Sequence, residues 1–152
     1  VHELEEAIDR EPYALTFQPK KGEAVQIFTI HTVPTEKHPI HEVEALAKAH
    51  EVLNQERAII SGDFNLGPEK TDAPLERAGY AGHIAQPTSL KSKTHDGKYL
   101  AHQYDNIYTK GVKVCTAGVV DFVGAHFSPV TQDSLTRARG ISDHLPVFAT
   151  FR

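Results

Sequence analysis

Six polar residues stand at the ends of short apolar runs, and their types suit one kind of chemistry. His31 closes Val25-Gln26-Ile27-Phe28-Thr29-Ile30, and Asp63 and Asn65 follow Arg57-Ala58-Ile59-Ile60. Asp105 lies at the start of Tyr104-Asp105-Asn106-Ile107-Tyr108-Thr109, and Asp143 and His144 precede the final run from Leu145 to Phe151. Two residues apart on an extended chain, Asp63 and Asn65 point the same way. A carboxylate beside an amide holds a metal, a water or a phosphate oxygen; the plainer alternative is an Asp/Asn turn that bonds its own backbone. Two histidines, three aspartates and one asparagine suit hydrolysis of a phosphate ester with a divalent cation. The anionic substrate repels hydroxide, so a cation and hydrogen-bond donors must neutralise the phosphoryl oxygens. A base must orient the attacking water and an acid must protonate the leaving oxygen. A histidine paired with an aspartate has its tautomer fixed and its imidazolium stabilised.

The elements that must position these groups follow from periodicity. Tyr13–Phe17 and Val25–Ile30 read as strands, hairpin-paired across Pro19-Lys20-Lys21-Gly22. Pro39 suits the first position of a helix, and Ile40, Val43, Leu46, Ala47 and Leu53 share one face of it, with Glu42, Glu44, Lys48 and Glu51 elsewhere. That helix returns the chain to the strand before Asp63, so strand, helix and strand suggest a crossover within one sheet. Glu69–Ala78 is expected to be a short helix ended by Gly79. The polar stretch from Gln86 to Leu100, with Lys91, Lys93 and Lys98, reads as a long loop, either a solvated surface or a functional segment. Tyr104–Thr109 is the next strand, and Val112–Val120 its expected hairpin mate across Lys110-Gly111. Thr131–Arg139 reads as a helical turn closed by Gly140. If the first two site strands run antiparallel to the last two, all four sets of polar residues gather at one edge of a sheet.

Composition narrows the class. The chain has 152 residues, 39% hydrophobic and 24% charged, which suits one soluble globular domain. It contains no apolar run long enough to span a membrane, and it begins without a signal-peptide pattern. The net charge of −4 argues against a module that coats nucleic acid by charge alone. It leaves room for an enzyme whose site combines carboxylates with a cation. Cys115 is the only cysteine, so no internal disulfide forms, and it reads as a small buried hydrophobe. His38 and His41 have ligand-like spacing but no third partner nearby, which disfavours a zinc site.

Ser61-Gly62-Asp63-Phe64-Asn65, Tyr104-Asp105-Asn106-Ile107 and Ser142-Asp143-His144-Leu145-Pro146-Val147 resemble, in order, the motifs of the endonuclease/exonuclease/phosphatase superfamily. Arg10-Glu11-Pro12 and His31-Thr32-Val33-Pro34, followed by a helix with Glu42 and Leu46, narrow the resemblance to its DNase I-like branch. The resemblance implies an α/β fold, a two-layer β-sandwich flanked by helices. It implies that His31 hydrogen-bonds the phosphate or acts as general acid. Asp63 and Asn65 would position the nucleophilic water and the scissile phosphate, Asp63 near a metal. Asp105 would pair with His144, the general base; Asp143 would face a metal; Arg10 would contact the nucleic-acid backbone. The implied cofactor is Mg²⁺ or Mn²⁺, and the implied activity is phosphodiester hydrolysis with DNA as substrate. Two alternatives stand beside it: a phosphatase or phospholipase of the same superfamily acting on a lipid or inositol phosphate, and a non-catalytic remnant that binds a partner.

The family's domain also has an earlier half, carrying an asparagine near its first strand and a metal-binding glutamate at the end of a later one. The motifs here begin with the family's middle segment, and the cysteines of secreted DNases are absent. Residues 1–152 are therefore expected to be the C-terminal portion of a single DNase I-like domain. Alone, the chain is expected to be nearly inactive, to bind Mg²⁺ weakly, and to dimerise or pair with a chain supplying the earlier half.

Overall fold

The computed structural model describes residues 7–53 and 55–152. Its first elements are β1 (Tyr13–Phe17), β2 (Val25–His31), α1 (Ile40–Leu53), β3 (Ala58–Asp63), α2 (Pro68–Arg77) and β4 (Ala81–Gly82). There follow β5 (Leu90–His95), β6 (Lys98–Leu100), β7 (Asp105–Lys110), β8 (Val114–Val119), α3 (Phe122–His126), α4 (Gln132–Arg139) and β9 (Val147–Phe151).

Five strands form one sheet in the order β1-β2-β3-β7-β4. β1 and β2 make the expected antiparallel hairpin, β2 and β3 are parallel across α1, and β7 runs antiparallel to β3. The two-residue period sorts the core into two faces. Phe28, Ile30, Ala58, Ile60 and Tyr108 turn to one side and pack with Val43, Leu46 and Ala47 of α1 and Leu75 of α2. Val25, Ile59 and Ile107 turn to the other, against Ala117 and Val119 of β8 and Val147 and Ala149 of β9. Helices, sheet and a second, two-stranded sheet therefore stack as layers, the sandwich flanked by helices that the resemblance implied. A third apolar cluster joins β5 and β6 to α3 and α4 through Leu90, Val123, Leu135 and Ala138.

Four local expectations are corrected. Gln86–Leu100 is a hairpin, not a loop: β5 and β6 pair antiparallel around Asp96 and Gly97, both at positive φ. That is the backbone a two-residue hairpin turn needs, and Asp-Gly supplies it. β8 is not the mate of β7. The free edge of β7 is taken by β4, and after Gly111 (φ 63°) the chain crosses to the other layer, buries Val112 and pairs β8 with β9. Cys115 is exposed, because β8 covers the core with one face only and the register slips between Val114 and Thr116. Glu42, expected away from the apolar face, is buried. Its carboxylate accepts the backbone N–H groups of Asp9 and Val33, both at 2.7 Å.

One part of the apolar surface is uncovered. Tyr13, Leu15 and Phe17 lie opposite Thr29, Ile27 and Val25, on the face that meets the second sheet further along. They remain 69%, 42% and 48% exposed because the two-stranded layer does not reach β1.

Candidate active site

Register alone brings three of the polar residues together. His31 is opposite Asp63 across the parallel β2–β3 pair, and Asp63 is opposite Asp105 across the antiparallel β3–β7 pair. His31 and Asp63 follow, and Asp105 precedes, in steps of two, residues that face the second sheet, so all three share that face at the end of the first sheet. A tight approach holds the strand ends there. Gly62 has φ +151°, and a Cβ on it would lie 1.8 Å from the Ile30 carbonyl oxygen. Only glycine fits such contact between parallel backbones.

His144 arrives from a different place than expected. It does not open a neighbouring strand of the same sheet; it precedes β9, in the second sheet, and makes an isolated bridge to Ser89. Its ring nevertheless completes the cluster. His144 Nδ1 lies 2.6 Å from Asp105 Oδ2, and His144 Nε2 lies 3.8 Å from Asp63 Oδ2. His31 Nε2 is 3.6 Å from that same Asp63 oxygen. Two imidazole nitrogens thus converge on one carboxylate oxygen, and a carboxylate braces one ring from behind.

The segment read as a loop does much of the positioning. Thr88, fully buried, accepts the backbone N–H groups of Tyr104 and Asp105 on its Oγ1, at 3.1 and 3.0 Å. Its carbonyl accepts Leu145 N–H at 2.7 Å, and Leu90 N–H donates to the Asp143 carbonyl at 2.8 Å. Thr88 therefore grips both halves of the His144–Asp105 pair. Ser142 helps from the other side, its Oγ accepting His144 N–H at 3.0 Å and donating to the His144 carbonyl at 2.8 Å. Asp96-Gly97 was the sequence feature that could have revealed this clamp; nothing in the sequence singles out Thr88 itself.

The remaining site residues lie around the cluster. Asn65 sits at φ 48°, past the end of β3. Its backbone N–H donates to Asp63 Oδ1 at 2.8 Å, the turn that was the plainer alternative, and its side-chain amide donates to the Thr32 carbonyl at 3.0 Å. With Thr35 Oγ1 donating to the Asn65 carbonyl at 2.8 Å, the loops after β2 and β3 are stitched together. Asn65 therefore shapes the floor beside Asp63, and its amide does not point along with the carboxylate. Asp143 is exposed, with its carboxylate 3.6 Å from Arg139 rather than in the cluster. Arg10 is exposed, three residues before β1, at the sheet end where His31 stands.

Electrostatics mark the cluster as short of positive charge. Burial and the neighbouring Asp105 push the Asp63 carboxyl above the usual range, against the opposing pull of Asn65 N–H and the two histidines. The hydrogen bond that His144 donates to Asp105, with the charges of Asp105, Asp63 and Asp143, raises His144 against its own burial. Asp63, Asp105 and His144 offer ligand atoms within 4.8 Å of one another, so these residues could hold a metal ion. The donor set fits: two carboxylates crowd together with no lysine or arginine paired to them among the described residues, which is what a cation would relieve.

No protein-family model matches the chain, and no curated protein sequence matches it. Solved structures do. An endonuclease/exonuclease/phosphatase family protein from Leptotrichia buccalis superposes with a TM-score of 0.55 at 15% identity, over 91% of this chain and 53% of its own. D. rerio TDP2, in complex with a single-strand DNA product, gives 0.55 at 13% identity over 91% and 60%. A mannosyl-6-phosphatase from Bacteroides thetaiotaomicron gives 0.52 at 15% identity over 85% and 51%. The fold is thus that of endonuclease/exonuclease/phosphatase proteins, and the chain spans just over half the length of these relatives.

Proposed function

We propose that this chain carries the catalytic cluster of a metal-assisted phosphodiesterase that cleaves nucleic acid, with DNA as the substrate. The carrying observation is the convergence of His144, braced by Asp105, and His31 on the Asp63 carboxylate. His144 takes a proton from an attacking water at Nε2, and Asp105 holds its ring in the tautomer that leaves Nε2 free. Asp63 orients that water, the Asn65 backbone keeping the carboxylate aimed. His31, more exposed, donates to a phosphoryl or leaving oxygen. Asp63 and Asp105 are the groups that would hold Mg²⁺ or Mn²⁺, with Asp143 within electrostatic reach. Bound there, a hard cation would neutralise phosphoryl charge. Arg10 would contact the backbone of a long substrate.

The likeness to TDP2 supports the nucleic-acid reading, and the likeness to a mannosyl-6-phosphatase supports a second one, monoester hydrolysis at the same cluster. A partner belongs to the proposal as well. The exposed Tyr13, Leu15 and Phe17 face, and the short second sheet, suit added β-structure from the family's earlier half or from a second copy. The test is nicking of supercoiled plasmid in Mg²⁺, by the chain alone and by the chain joined to that earlier half. EDTA-sensitive nicking by the joined form, lost in His144→Ala, is expected. Turnover of mannose 6-phosphate or a phospholipid without DNA cleavage would transfer the proposal to the second reading. No turnover on any of them would leave a binding module.

A further inference from the structure

His144 of the cluster lines a cavity of about 530 Å³ beside β5, together with Lys91, Lys93, His102, Tyr104 and Arg139. Its cationic groups are not equivalent. Arg139 is committed to the fold: it donates to the Leu90 carbonyl at 2.8 Å and to that of Lys91 at 3.4 Å, and it sits 3.6 Å from Asp143. Lys91 and Lys93 are exposed and have no ion-pair partner among the described residues. Two residues apart on β5, whose register shifts here, both line the cavity, roughly 7 Å apart along the strand. That step is comparable with the distance between successive phosphates of an extended single strand. In a chain of net charge −4, two free lysines beside the catalytic histidine form a local exception.

The far wall of the cavity is aromatic. His102 stacks on Tyr104 with ring centroids 4.8 Å apart and 12° between planes. Tyr104 is half-buried and His102 exposed, so the stack ends in an imidazole open to solvent. The same two residues line a second cavity of about 340 Å³ with Asn65, Gly67 and Lys70. The stack is therefore a ridge between two clefts, directly before Asp105 in the chain. A flat, solvent-facing ring at the end of a rigid stack is a platform for another flat ring.

We infer that Lys91, Lys93 and the His102–Tyr104 stack form a binding track for single-stranded nucleic acid, the lysines taking backbone phosphates and His102 a base next to the scissile position. This rests on the proposed hydrolysis and names how its substrate is held. Neither a sugar phosphate nor a lipid headgroup uses both features, since neither carries a flat base to stack on His102.

The experiment is binding of a fluorescein-labelled 12-nucleotide single strand in EDTA, followed by anisotropy as salt is varied, so that no turnover is needed. Lys91→Ala/Lys93→Ala is expected to weaken binding at low salt and to flatten the plot of log affinity against log salt by about 1.4, the value for two released counterions on a single strand. His102→Ala is expected to weaken binding at least fivefold with the salt slope unchanged, and His102→Phe to restore it. On an abasic strand His102→Ala should have no effect. Wild-type affinity in folded Lys91→Ala/Lys93→Ala and His102→Ala variants overturns the inference. So does binding to anionic phosphatidylglycerol vesicles with none to the strand. The wild type separates the two readings: a strand bound with the expected salt slope by a joined form that hydrolyses no DNA in Mg²⁺ leaves the track intact and removes the catalytic proposal.

Discussion

At the scale of single residues, the site is one unit. His144, Asp105 and Asp63 are linked within 3.8 Å, so substitutions at two of them should not add. In the joined form, His144→Ala should lower kcat by ~10²-fold or more with little change in KM, the scale of a lost general base. Asp105→Asn should lose a similar factor, and the double variant hardly more than either. Steady-state kinetics on a short oligonucleotide gives all four values; near-normal kcat in His144→Ala removes the histidine from the mechanism. Excess EDTA should abolish activity and Mg²⁺ or Mn²⁺ should restore it, whereas Zn²⁺ should not, because oxygen-rich sites favour hard cations. Thr88→Val is the subtler probe. It keeps the shape but removes the acceptor for two backbone N–H groups, Tyr104 and Asp105. The expected result is a stability loss of about 1–3 kcal/mol, read from urea midpoints, since buried donors are left unpaired.

At the scale of elements, α1 carries a pH dependence unrelated to catalysis. His50 is 2% exposed, packs edge-on to Phe28 and lies with Nδ1 2.7 Å from the Tyr80 hydroxyl. Burial first, and the Lys110 charge second, lower its pKa to about 4. The unfolded chain binds that proton near pH 6.5 and the folded chain does not, so stability is whole above pH 6.5 and falls as pH drops towards 4. The total loss is on the order of 3 kcal/mol. Urea midpoints of the wild type should decline across that window, and those of a folded His50→Phe variant should decline less. The elements also show what was legible in the sequence. β2, α1, β3 and β7 were readable because each has a clean period and buries a face in the core, and β1 by its alternation alone, although its apolar face is exposed. The helix between them suggested that β2 and β3 share a sheet, and the structure pairs them directly in parallel. β8 was misassigned because a Lys-Gly turn between two apolar runs reads as a hairpin whatever edge is free. In the fold β4, two residues long, had already taken that edge. β5 and β6 were missed because their exposed, lysine-rich faces carry no alternation, though Asp96-Gly97 marks the turn. Of the site, residue types and strand ends were readable. That His144 comes from the second sheet, and that Asn65 turns its amide to Thr32, depend on tertiary contacts with no local trace.

At the scale of the whole molecule, the sandwich has unequal layers: five strands against the two of β8 and β9. The uncovered side chains lie in a row along β1, and Phe151, at the end of β9, is also 43% exposed. An apolar edge strand of this kind pairs or associates. Sedimentation velocity should show concentration-dependent association of the chain. Leu15→Lys/Phe17→Lys should sediment as a monomer with unchanged far-UV circular dichroism. A wild-type chain that stays monomeric at high concentration would show that the face is merely solvated.

The Gly62 backbone contact bears on which sequences can encode this protein at all. Two glycines at positive φ carry different demands: Gly97, at φ +72°, has open space around its missing side chain, while Gly62 has the Ile30 carbonyl in the way. Asparagine tolerates positive φ well and relieves the first demand but not the second. In a saturation library selected for folded protein, position 97 should retain asparagine and aspartate codons, and position 62 should retain glycine alone. Gly111, whose missing Cβ would meet the Glu56 carbonyl oxygen, makes the same demand between β7 and β8, but at Gly62 the narrow point in the space of permitted sequences lies next to the Asp63 carboxylate, at a residue with no side chain to take part in any chemistry.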